Sequence, residues 1–96
     1  MTVTNGQDRY DQLRERSDVT EITAADLEAD DFVIGTREMV SSIRLDTEDM
    51  WNKAEPIARL RRVFDAKEAT GNIYVTLQTM AIVIPAGEPL LIRQRP

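Results

Sequence analysis

Ninety-six residues without a single histidine or cysteine exclude a thiol nucleophile, an imidazole base and every zinc site built from those ligands. Any catalysis would run on carboxylates, Lys, Tyr or Ser/Thr, and any metal would be a hard cation held by oxygen. The formal charge of −5 is uneven: residues 1–55 carry 14 acidic and 6 basic side chains, residues 56–96 carry 3 and 6. Such an acidic front and mildly basic rear suit head-to-tail or partner contacts, whereas duplex binding favours chains that are basic overall.

The length fits one domain, 1–96, with a modest core. No run of about 18 apolar residues is present to span a membrane. The opening MTVTNGQDRY has neither the basic n-region nor the apolar h-region of a signal peptide. A cytoplasmic location without membrane contact is therefore expected.

In chain order, residues 1–6 are short, polar and expected to fray. Asp8–Arg16 reads as a short helix with Tyr10 and Leu13 on one face. Val19 and Ile22 suit a brief strand. Thr23 is placed to cap a single turn, with Leu27 pointing inward. Phe32-Val33-Ile34-Gly35 follows an acidic corner as an apolar strand that Gly35 ends or bulges. Glu38–Leu45 is expected to be a second strand paired back on 32–35, with Met39, Ser41, Ile43 and Leu45 on one face. A helix there would instead align Met39, Val40 and Ile43.

Residues 46–71 read as a helical insertion. Asp46-Thr47-Glu48-Asp49 is a capped helix start with acids in its first turn, and Met50, Trp51 and Ala54 supply an apolar face. Pro56 suits the first position of a second helix, 56–69, where Ile57, Leu60, Val63/Phe64 and Lys67 repeat at helical spacing and Gly71 takes the C′ position. The alternative pairs Leu60–Phe64 with Ile73–Leu77 as strands.

Thr70–Arg95 is the most apolar stretch. Ile73, Val75 and Leu77 alternate with Tyr74, Thr76 and Gln78. A meander of strands near 73–78, 81–84 and 90–94 is expected, or one bent strand from Ile73 to Ile84. Pro85-Ala86-Gly87-Glu88-Pro89 must turn, with Gly87 free to take positive φ. Ile82, Ile84 and Leu90–Ile92 belong to runs apolar on both faces, which predicts cover from another element or from a second copy.

The order of a Leu-bearing turn, Asp26-Leu27 with Asp31-x-Val33, the Phe32–Gly35 strand, the Asn72–Leu77 strand and a Pro-Ala-Gly-Glu-Pro turn before the last strand resembles small SH3-like β-barrel domains. Asp30 stands where those domains carry glycine. The resemblance implies a mainly β, α+β fold, either a small barrel or a curled antiparallel sheet, and no particular activity.

Asp46, Glu48 and Asp49 are read as a helix N-terminus before a cation site, so neither metal nor cofactor is expected. Arg59, Arg61, Arg62, Arg93 and Arg95 form the basic set available for phosphate or an acidic surface. Trp51 is either core or an interface anchor. Tyr10 and Tyr74 are candidates for stacking on bases. The reading that results is a non-enzymatic, acidic interaction or assembly module that self-associates, of the kind seen among phage or bacterial accessory proteins. The alternatives are nucleic-acid or nucleotide-phosphate binding through the arginines, and an acidic inhibitor presenting Asp30, Asp31, Asp46 and Asp49 to a basic partner.

Overall fold

The computed structural model describes residues 6–67 and 70–96; residues 1–5 of the segment expected to fray, and residues 68 and 69 at the end of the helix expected over 56–69, lie outside that range. Among the described residues it is mainly β: two separate antiparallel sheets and three short helices. The sheets do not close into a barrel, so of the two architectures expected the open, curled one is found. None of the helices among the described residues is long and apolar enough to cross a membrane.

The first sheet has the order β1 (Val19–Thr23), β7 (Pro89–Arg93), β2 (Phe32–Thr36), β3 (Glu55–Pro56). β7 is central. Leu90 and Ile92 point into the space between the two sheets, among Leu27, Val33, Ile73 and Val75, while Leu91 points the other way, onto Tyr10, Leu13 and Val40. All three β7 side chains are fully buried. The unbroken apolar run of β7 thus records a strand covered on both sides within one chain, and needs no second copy.

Helices cover the outer side of this sheet. α1 (Gly6–Arg14) supplies Tyr10 and Leu13. α3 (Thr47–Asn52) begins where the capping acids predict: the Asp46 carboxylate accepts from the Asp49 N–H at 2.8 Å, and Met50 is buried. Between them, residues 37–42 form helix α2 (Arg37–Ser42) and not the expected strand. The Thr36 hydroxyl caps it, accepting from the Met39 N–H at 3.2 Å, and Val40 enters the helix-side core. The Met39/Val40/Ile43 spacing was the pertinent signal, because the place beside β2 belongs to β7. Gly35 makes this exit possible. Its φ is +150°, the β2–β7 register shifts between Val33 and Gly35, and a Cβ there would lie 3.1 Å from the Met39 Cβ.

The second sheet, β4-β5-β6 (Arg59–Asp65, Thr70–Thr76, Ala81–Pro85), corrects the expected helix at 56–69. Pro56 pairs opposite Phe32 in β3, and all seven residues of β4 pair with β5 from Arg59↔Thr76 to Asp65↔Thr70. Gly71 accordingly lies in β5 opposite Phe64, and caps nothing. A helix here would leave β5 without a neighbour on that edge, while its own apolar stripe would lack a core to dock on. Backbone pairing outweighs the helical spacing of Ile57, Leu60 and Val63/Phe64.

β5 and β6 form the expected hairpin, closed by the Leu77 N–H donating to the Met80 carbonyl at 2.8 Å. The meander stops there. Residues 85–89 carry the chain across to the first sheet, turning through Glu88 N–H to the Pro85 carbonyl at 2.9 Å, without positive φ at Gly87. Ala24 and Ala25, in the single 3₁₀ turn after Thr23, donate to the Glu88 and Ala86 carbonyls and tie this crossover down. The Thr23 hydroxyl makes no cap bond; it donates to Asp26 at 3.1 Å.

Candidate functional site

One side of the second sheet packs on the inter-sheet core through Ile73, Val75, Leu77 and Ile84, with Ile82 and Leu60 half-buried beside them. Its other side is bare. Antiparallel register sets Arg61, Tyr74 and Val83 in one row across the three strands, and Arg59, Thr76 and Ala81 in the next. The Arg61 guanidinium lies 4.9 Å over the Tyr74 ring. A shallow groove of about 390 Å³ runs along these two rows. Among the described residues no carboxylate pairs with Arg59 or Arg61.

The five arginines of the basic set therefore separate. Only Arg59 and Arg61 stand together on the bare face, two apart on one strand. Arg62 turns to the opposite side and donates to the Leu27 carbonyl. Arg93 is structural: it stacks 4.3 Å from the Trp51 ring and 4.9 Å from Phe32, and donates to the Trp51 and Asn52 carbonyls at 3.0 Å, where it meets the last turn of α3. Arg95 closes on Asp31 with two parallel bonds of 2.8 Å.

That last pair sets its carboxylate in the interior, unlike the equally bidentate Arg16–Asp18 pair at the surface. Asp31 is buried, and it also accepts from the Glu28 N–H at 2.9 Å. Burial pushes its carboxyl up, but the Arg95 bonds and the backbone N–H outweigh this and hold it below its ordinary value. The acidic corner of the sequence is thus a clasp for the residues after β7. Asp46, engaged as a helix cap, is likewise occupied, so two of the four acids proposed for an inhibitor surface serve the fold.

The aromatic and aliphatic candidates also redistribute. Trp51 is half-buried against the helix-side core; its Nε1–H donates to the Asp18 carbonyl at 3.0 Å, and Arg16 and Arg93 lie over the ring. It is part of the scaffold. Tyr10 is fully buried, donating to Glu21 at 2.6 Å; burial and then that bond push its phenol well above the usual value, so it is closed to stacking on a base. Ile82 and Ile84 face inward. The large apolar residue that β6 turns outward is Val83, 55 % exposed.

Two features escaped sequence reasoning. The first is the far end of the β4–β5 hairpin, where Val63 and Phe64 are 40 % and 71 % exposed on opposite faces. The helical reading hid them by giving them a buried stripe. The second is an apolar pocket of about 180 Å³ between α2, α3 and the β5–β6 turn, lined by Met39, Ile43, Leu45, Met50, Leu77 and Met80. Glu55 stands at it and is held by the Thr79 N–H and hydroxyl at 2.7 and 2.8 Å; Lys53 stands there too. The apolar residues of 39–50 were visible in the sequence, but their convergence with Leu77 and Met80 is set by the sheets.

No family model, curated protein or solved structure matches the chain.

Proposed function

We propose that this protein is a non-catalytic interaction module that self-associates in the cytoplasm, and that the second sheet is its working surface. The observation that carries this is the one-sidedness of that sheet: Ile73, Val75 and Ile84 are buried on its inner face, Tyr74, Val83 and Val63 stand exposed on the other, and its edge strands β4 and β6 have no further strand beside them among the described residues. An isolated exposed apolar residue is ordinary, but a set of three on one face of a small sheet marks a contact surface. Free strand edges add a row of backbone groups able to pair with another chain. Sedimentation velocity across a hundredfold concentration range is the test. A rising mean mass supports the proposal; a strict monomer throughout overturns it.

A second reading rests on Arg59 and Arg61 beside Tyr74, two cations and a ring in adjacent rows. This would serve a single-stranded nucleic acid, with phosphates on the arginines and a base on the tyrosine. Fluorescence anisotropy with labelled oligonucleotides at low salt decides it: binding lost in an Arg59→Ala/Arg61→Ala double variant supports it, and a flat titration ends it.

A further inference from the structure

Resting on the self-association just proposed, we infer that copies of this chain join head to tail: Phe64, at the end of the β4–β5 hairpin of one copy, inserts into the apolar pocket between α2, α3 and the β5–β6 turn of the next. The ring is 71 % exposed, an unusual position for a large apolar side chain on a strand whose flanks are charged. The pocket, at about 180 Å³, has room for it: a cavity of about 150 Å³ accepts benzene. Two of the pocket's residues, Ile43 and Met80, are themselves 38 % and 45 % exposed, so the ring has an entrance through their side.

Geometry rules out insertion within one copy. Gly71 pairs opposite Phe64, and Leu77 lines the pocket; the six residue steps of extended strand from Gly71 to Leu77 hold knob and pocket about 20 Å apart. An interface joining two different patches is heterologous, so it propagates into a ring or a filament instead of closing at two.

Charge selects this arrangement over a symmetric tip-to-tip contact. The hairpin end, residues 61–71, carries three basic and two acidic side chains, whereas residues 37–55 around the pocket carry three basic and five acidic. A tip and a pocket carry opposite net charge and attract; two tips carry the same sign and do not. The uneven charge noted in the sequence thereby acquires a direction.

Complementation tests it. Phe64→Ala keeps the pocket and loses the knob; Ile43→Glu keeps the knob and places a charge at the pocket. Both sites are solvent-exposed, so both variants should fold, which circular dichroism checks; Met80→Glu replaces Ile43→Glu if the latter does not. By sedimentation velocity, each variant alone should associate at least about 30-fold more weakly than the wild type, and an equimolar mixture should form a one-to-one heterodimer that grows no further. If a variant assembles like the wild type, or if the mixture stays monomeric, the insertion is wrong while self-association through another surface stands. A wild-type chain that is monomeric at every concentration removes both.

Discussion

The two sheets are built from similarly apolar strands yet live in different surroundings. The first lies between helices and the second sheet, and its central strand β7 has no exposed side chain among Leu90, Leu91 and Ile92. The second has a core on one side only, with Val83 on β6 open to solvent one residue from buried Ile84. The lesson is that an apolar run does not by itself reveal an interface. β7 uses its double-sided character to bind two layers of one molecule together; β6 leaves half of its own unused.

Substitutions should separate the sheets cleanly. The largest effect is expected at Leu91→Ala, where a fully buried side chain between α1 and the sheet leaves a cavity; a loss of about 2–5 kcal/mol is expected in urea unfolding. A loss below about 1 kcal/mol would mean that the helices do not truly cover this face. Next comes Arg95→Ala, which strands the buried Asp31 carboxylate and should cost about 1–3 kcal/mol. The same pair fixes a pH dependence. Asp31 ionises more readily folded than unfolded, so its contribution is complete above the ordinary carboxylate value and is lost as pH falls through the lower folded value. Acid titration followed by circular dichroism should show wild type losing stability below about pH 4, and the Asp31→Asn variant losing less over that window.

Gly35→Ala should destabilise by more than about 1 kcal/mol, because an L-residue resists φ near +150° and its methyl group meets Met39. Asp46→Ala should cost about 1 kcal/mol through loss of the α3 cap. Smallest of all, Val83→Ser on the bare face should stay within about 0.5 kcal/mol. A large loss there would show that the face is already packed, and would erase the contrast between the sheets.

How far the residues announced this arrangement depends on whether their signals were local. The Asp46 cap, the Gly35 bulge, the brief strand at Val19–Thr23 and the alternation from Ile73 to Thr76 depend on neighbours in sequence, and each was legible. The Glu38–Leu45 and 56–69 segments were not, since both support two periodicities and the choice was made by distant strands: β7 occupies the place beside β2, and β5 requires β4. The arginines illustrate the same limit at the site. Arg59 and Arg61 share a face as soon as β4 is a strand. That Arg93 and Arg95 are consumed by Trp51 and Asp31, 42 and 64 residues away, follows only from tertiary structure.

β7 also has a consequence for how the molecule comes into being. Translation makes it after the other elements described, yet β1 and β2 have no mutual pairing and meet only through it. Until residue 89 has left the ribosome, the first half of the chain holds two unsatisfied ribbons and a greasy helical cap with nothing to close upon. Such a molecule should mature in one late, cooperative step dominated by distant contacts, with its β4–β5–β6 meander the one portion able to rehearse its shape beforehand.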